Sequence, residues 1–180
     1  MEFAKPQKLP DGRYFLKIKN PVIQLNNVKY QENSLDVPES YTSKFDAFDE
    51  QILTEAKKSK VEWFGRELSD ETIQGAYQTS LTDGALGVSL AKVKGEIIVR
   101  AFGSQKEEMP LSNVASGSQC DVLVEIAGLW FLKKSFGPVW RVLQVRVRNQ
   151  VPPSARPTQY MFEDEVEDEV EEDDPADYVD

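Results

Sequence analysis

The sequence predicts a mainly β fold: a five-stranded Greek-key barrel with one or two inserted helices, followed by an acidic, disordered carboxyl-terminal tail. Three observations carry that expectation. Apolar and polar residues alternate from Arg13 to Tyr30 and again over much of residues 85–148, the period of half-buried strands. A helical period interrupts them at residues 43–59. The stretch 163–180 holds twelve acids and no base, with too little apolar surface and too much self-repulsion to fold alone.

Taken in order, Arg13–Tyr30 reads as a bent strand pair broken at Asn20-Pro21, because proline cannot donate to a sheet ladder. In residues 43–59, Phe45, Phe48, Ile52, Leu53 and Ala56 share one helix face, with Ser43 as the expected N-cap. Asp46, Asp49 and Glu50 toward the start, and Lys57 and Lys58 at the end, suit the helix dipole. Val61–Phe64 is expected as a short strand, and residues 69–81 as a weaker helix containing Gly75. Leu86–Val93 and Glu96–Phe102 flank Lys94-Gly95, a tight-turn signal. Residues 103–118 read as a long polar connection. Asp121–Leu132 and Pro138–Arg148 read as long strands joined by KKSFG, and Gly128 within the first marks a bulge or bend. Bent antiparallel strands are what closing a small barrel requires. The pattern fits an OB-type barrel over residues 1–150, a proline-rich linker at 151–162 and the acidic tail at 163–180. A β-sandwich with a flanking helix is the alternative.

Composition removes several chemistries. The chain has no histidine and one cysteine, Cys120, so it cannot itself supply a His-dependent triad, a His-containing zinc site or an internal disulfide. Its glycine-containing stretches match no phosphate-binding fingerprint. No apolar run is long enough to cross a membrane, and the first residues lack the order of a signal peptide. No catalytic residue, metal or cofactor is expected.

The formal charge of −10 is unevenly placed. Outside 163–180 the chain carries 19 acids against 21 bases, and residues 84–162 alone carry 10 bases against 5 acids. That basic half also holds an interleaved set of rings and cations. On residues 139–148, Val139, Leu143, Val145 and Val147 are expected to face the core. Trp140, Val142, Gln144, Arg146 and Arg148 then face outward, and a bulge would bring Arg141 to the same surface. Trp130, Lys133, Lys134 and Phe136 around the turn, and Lys92, Lys94, Arg100 and Phe102 of the preceding hairpin, extend the set. Taken singly, Trp130 and Trp140 read more readily as core than as stacking platforms, and it is their coincidence with the cations that favours a ligand surface. Unpaired bases stack on rings while Lys and Arg neutralise phosphates, so the combination points to single-stranded nucleic acid.

The segment GLWFLKKSFGPVWRVLQVRVR, residues 128–148, resembles the closing hairpin of viral OB-fold single-stranded-DNA-binding proteins, the group shared by podovirus-type phages and nucleo-cytoplasmic large DNA viruses. Gly128, Trp130, Lys133, Phe136, Gly137, Trp140, Gln144 and Arg146 carry the resemblance. The acidic tail is its second mark, with one departure: the phage aromatic is terminal, whereas Tyr178 here is followed by Val179 and Asp180.

The resemblance implies a non-enzymatic, sequence-tolerant single-stranded-DNA-binding protein acting in viral DNA replication, repair or recombination, at a replication site in the host cytoplasm or nucleus. Glu163, Asp164, Glu165, Glu171, Glu172, Asp173, Asp174, Asp177 and Tyr178 would contact a replication polymerase or helicase, and the tethered acids would compete with DNA. RNA as the strand and a homodimer as the assembly are left open, and no membrane partner is expected. The rival expectation is a protein-interaction module, such as an acidic-tailed chaperone or transcription adaptor.

Overall fold

The alternation in Arg13–Tyr30 resolves into two strands, β1 (Tyr14–Lys19) and β2 (Ile23–Tyr30). The computed structural model describes residues 1–19 and 22–149. The Asn20-Pro21 break, the expected linker 151–162 and the expected tail 163–180 lie outside the described residues. After β2 come β3 (Ser34–Asp36), α1 (Thr42–Lys58), α2 (Lys60–Phe64), α3 (Asp70–Ala76) and β4 (Ala85–Leu90). The short strands β5 (Lys92–Val93), β6 (Glu96–Ile97) and β7 (Arg100–Phe102) follow, then the long strands β8 (Gln119–Phe131) and β9 (Phe136–Asn149).

Five strands close on themselves. β2 pairs with β3, β3 with β4, β4 in parallel with β9, β9 with β8, and β8 returns to β2. This mixed barrel, with the helices inserted between β3 and β4, is the OB-like architecture the alternation predicts. β8 does double duty: residues 119–124 pair with β2, while Gly128–Phe131 pair with β1. Gly128 sits where β8 passes from one partner to the other, and the β8–β9 register shifts between Ile126 and Gly128. A Cβ there would run into the Leu16 carbonyl oxygen and lie 2.6 Å from Phe15 Cζ. Only glycine lets the strands approach that closely.

Two bulges decide which side chains enter the barrel. On β2, Ile23 and Leu25 point inward; Asn27 then takes a left-handed φ of 59° and Val28 and Tyr30 face inward instead. On β9, Leu123 of β8 pairs with Gln144 but Val124 pairs with Val142, leaving Leu143 as the extra residue. Before this bulge the even positions Phe136, Trp140 and Val142 are buried; after it the odd positions Val145 and Val147 are. One inserted residue exchanges the faces of the strand. The expected outward face of residues 139–148 is therefore corrected for Trp140 and Val142, which are core.

The helices cover the barrel with aromatic side chains. α1 buries Phe45, Ile52 and Ala56, and the Phe45 and Phe48 rings meet Trp140 edge-on at 5.2 and 5.7 Å. Its start differs from expectation: Ser43 lies inside the helix, which continues from a 3-10 turn at Glu39–Tyr41 without a side-chain cap. Val61–Phe64 is helical rather than a strand. α2 buries Trp63, which packs on Phe3 and Phe131, and Gly65 ends the helix with φ 72°. α3 begins at a true cap, Ser69, whose hydroxyl accepts from Thr72 N at 3.1 Å. It ends at Ala76, and Tyr77 then bridges to Phe136.

The Lys94-Gly95 turn forms with φ of 50° and 81°, the left-handed pair that two-residue hairpins favour. Only β5 and β6 pair across it, as a separate two-stranded sheet. The residues on either side turn back to β9 instead: β4 pairs with Trp140–Val142 and β7 with Gln144–Arg146, both in parallel. The connection 103–118 contains a short strand at Glu108–Met109 against β7 and a 3-10 turn at Leu111–Asn113.

Candidate nucleic-acid interface

The β8–β9 turn gathers rings and cations on one surface. Register places Tyr14 beside Phe131 and Phe15 beside Trp130. Tyr14 is half exposed, Trp130 and Phe131 are partly exposed, and Leu132, Lys133 and Lys134 protrude. Three concavities adjoin this ridge. One of about 340 Å³ is bordered by Arg13, Tyr14, Trp130 and Leu132. One of about 400 Å³ runs between Tyr14, Phe64, Arg66, Phe131 and Lys133. The third, about 310 Å³, lies between Arg66, Phe131, Lys133 and Lys134. Lys133, Lys134 and Arg66 have no ion-pair partner among the described residues, so their charges face solvent. Glu62, also on the rim, is paired with Lys5 at 3.8 Å. Behind the ridge Phe131 stacks on Phe136 at 5.7 Å, and Phe136 is fully buried against Phe64 and Tyr77.

The two tryptophans thus separate. Trp130 borders a concavity, whereas Trp140 is 2% exposed and its Nε1 donates to Ser80 Oγ at 3.0 Å. Ser80 Oγ in turn donates to Asp49 Oδ1 at 2.6 Å. Asp49 also accepts from Tyr77 OH at 2.7 Å and from Ser80 N. Burial, helped by the adjoining Asp49 carboxylate, pushes the Tyr77 phenol well above its ordinary range. Trp140 and Phe136, expected at the ligand surface, are core because the bulge at Leu143 turns the even side of β9 inward ahead of it. Asp49, expected only as an acid suiting the helix dipole, is the buried hub that joins α1 to Tyr77, Ser80 and, through Ser80, Trp140.

The expected arginines are present but partly engaged. Arg141 reaches Glu125 at 2.9 Å. Arg146 and Arg148 both grip Asp121, at 2.5 and 2.6 Å, and Asn27 N donates to the same carboxylate at 3.0 Å. Burial alone would raise the Asp121 pKa, but these donors outweigh it and hold the carboxyl below its usual range. Two guanidiniums against one carboxylate leave this cluster cationic. Arg100 pairs loosely with Glu108 at 3.6 Å. Lys92 and Lys94 stand on the β5–β6 hairpin beside Val93, Ile97 and Ile98, each about half exposed. Cys120, next to Asp121, is buried; burial first and the Asp121 charge second push its thiol up to about 12.

A fourth concavity lies on the outer face of β2, β8, β9 and β7, about 270 Å³ in volume, where Gln24, Phe102, Lys106, Leu123, Gln144 and Arg146 meet. Gln144, Arg146 and Phe102 are among the expected residues; Gln24 and Lys106 are not. Tyr14, Arg13 and Arg66 were likewise missed, because their place beside the turn depends on register and on α2 being helical. Tyr14, opening an alternating strand beside Arg13, was the one signal available.

Among the described residues no group of three or more Cys, Asp or Glu is placed to hold a metal ion, and no helix is long and apolar enough to cross a membrane. No curated protein matches the sequence. Two solved structures are similar in fold, both of the single-stranded DNA-binding protein from bacteriophage Enc34. The one in complex with ssDNA gives a TM-score of 0.48 at 12% identity, covering 83% of this chain and 96% of that one. The other gives 0.49 at 13% identity, covering 89% and 97%. A family model described as a family of unknown function, DUF5871, matches residues 21–164. That match spans most of the chain, and the protein belongs to this family.

Proposed function

We propose that this protein binds single-stranded DNA without strict sequence preference, as a non-enzymatic component of viral replication, repair or recombination. The observation that supports it best is the surface around the β8–β9 turn, where Tyr14, Trp130 and Phe131 share concavities with Arg13, Arg66, Lys133 and Lys134. Rings offer stacking to any base, at about 1–3 kcal/mol each, and Arg66, Lys133 and Lys134, without ion-pair partners among the described residues, meet the backbone, while Arg13 is held by Asp11 at 2.6 Å. Lys92, Lys94, Arg100, Arg141, Arg146 and Arg148 supply further cations for phosphates of a strand that runs beyond the turn.

In this reading residues 1–150 are the binding domain, 151–162 a spacer and 163–180 a tethered polyanion that competes with DNA and recruits a polymerase or helicase. Titration with oligo-dT tests both parts. Wild-type protein should show tryptophan quenching and an affinity that falls steeply with salt, by roughly 0.7 log units per contacted phosphate for each decade of salt. Removing residues 163–180 should tighten binding. Absence of quenching together with a flat salt response rejects the first part; unchanged affinity after truncation rejects the second. A second reading, a protein-interaction module, is favoured by the half-exposed Val93, Ile97 and Ile98 on the β5–β6 hairpin. It predicts no strand binding at any salt concentration.

A further inference from the structure

The concavity on the outer face of β2, β8, β9 and β7 is separate from the aromatic ridge at the β8–β9 turn, and its lining is of another kind. Register fixes two neighbouring rows across the sheet. In one, Leu123 lies between Gln24 and Gln144, with Arg100 beyond Gln144. In the other, Asp121 lies beside Arg146, and Arg146 beside Phe102. Adjacent strands stand about 4.8 Å apart, so the two glutamines flank Leu123 at about 9.6 Å from each other. Between them is an apolar floor, and Phe102 and Lys106 contribute to the wall.

The polar atoms are held ready. Gln24 Nε2 donates to Asn26 Oδ1 at 2.8 Å, which fixes the amide and leaves its oxygen as an acceptor. The Gln144 amide has no side-chain partner among the described residues. Arg146 spends Nε and Nη2 on Asp121, leaving Nη1 available. Asp121 itself is saturated by Arg146, Arg148 and Asn27 N, so its charge is screened from an incoming anion.

We propose that this concavity receives one unstacked nucleobase of a bound single strand, a reading that rests on the single-strand binding proposed above and goes beyond it. The base lies on Leu123 against the Phe102 ring. Its polar edges meet the Gln24 and Gln144 carboxamides, which carry both donors and acceptors as base edges do. Arg146 and Lys106 meet the adjoining phosphates. The ridge at the turn takes bases by their faces, whatever their identity; this pocket takes one base by its edges, and so gives the protein a graded base preference.

The test compares full-length wild-type protein with the Gln24→Ala/Gln144→Ala double variant on two strands of equal length, one with bases and one abasic throughout. Both glutamines are exposed, so the variant should unfold at the wild-type urea midpoint, which is checked first. Expected is an about tenfold loss of affinity for the base-bearing strand, unchanged affinity for the abasic strand, an unchanged salt slope, and a flatter ranking of the four homopolymers. Equal loss on both strands means the pocket holds backbone and overturns the proposal, as does no loss on either. A free mononucleotide binding as tightly as the strand makes the site a small-ligand pocket and also overturns it. Wild-type protein that retains neither strand overturns the single-strand reading and this one with it; a wild type that binds strands while the variant does likewise overturns only this one.

Discussion

Trp140 and Trp130 are ten positions apart in one hairpin, and truncating each to alanine should give opposite results. Trp140 is 2% exposed, meets Phe45 and Phe48 edge-on, and donates to Ser80. Emptying such a site costs about 3–5 kcal/mol in transfer and cavity terms. The ring pairs and the indole hydrogen bond add about 1 kcal/mol beyond that. A loss of about 5 kcal/mol is a third or more of the stability a single domain holds, and should lower Tm by about 10–20 °C for a domain of this size. Trp140→Phe, which keeps a ring but loses the donor and some volume, should cost about half as much. Trp130→Ala, at a partly exposed ring, should cost under about 2 kcal/mol yet weaken oligo-dT binding about five- to a hundredfold. Urea unfolding followed by far-ultraviolet circular dichroism reads stability independently of the indoles, and anisotropy of a labelled strand reads binding. A Trp140→Ala protein as stable as wild type but defective in binding would refute the assignment of the two rings.

Three further outcomes follow from the same packing. Asp49→Asn replaces an acceptor serving Tyr77, Ser80 N and Ser80 Oγ with an amide that turns a donor toward donors; about 2–3 kcal/mol should be lost in urea unfolding, and a change under 0.5 would contradict the hub role. Gly128→Ala should cost at least about 1–3 kcal/mol, because the obstruction is the Leu16 carbonyl rather than a movable side chain; a crystal structure of the variant should show β1 displaced from β8. Asp121 has a depressed folded-state pKa, so its contribution is complete above the unfolded value near 3.9 and lost as pH falls through the folded one. Asp121→Asn should therefore destabilise by about 1–3 kcal/mol at pH 7, discounted because both guanidiniums are nearly half exposed, and the gap to wild type should narrow below pH 4 in urea midpoints taken across that range.

How much of this was legible beforehand can be traced to particular residues. Alternation located β1, β2, β8 and β9 to within a few positions, and Lys94-Gly95 located its turn, because both signals are local. The inward and outward sides of β9 were legible from Gln144 onward but not before it: apolar Val139 and Leu143 carry the odd-numbered pattern of Val145 and Val147 back along the strand, and nothing in the residues announces the bulge at Leu143 that reverses it. Val61–Phe64 reads as a strand on composition, yet Trp63 gains its burial as part of a helix, against Phe3 and Phe131 from distant segments. Asp49 shows the limit most plainly. A carboxylate in the second turn of a helix has a sufficient local explanation, and only the return of Tyr77 and Ser80 to its side reveals another. Of the expected interface, the cations at the turn and Trp130 remain accessible, whereas Phe136 and Trp140 carry the same aromatic signal and lie inside.

The order in which β9 finds its neighbours bears on how the protein is made. β2 ends at Tyr30, but the strand that must lie beside it starts at Gln119, and β4 finds its parallel partner only from residue 140 onward. A chain emerging from the ribosome amino end first therefore carries one open edge on β2 and one on β4 through much of its synthesis, because the pairings with β3 cover only the other side of each. Such long-range pairing is slow, on the order of milliseconds to seconds, and unpaired edges recruit other chains. β1 awaits β8 as well, and the exposed Lys17 and Lys19 of β1 and Lys29 of β2 stand on strands so left open, where like charge opposes pairing between nascent copies before β8 and β9 arrive to complete the barrel.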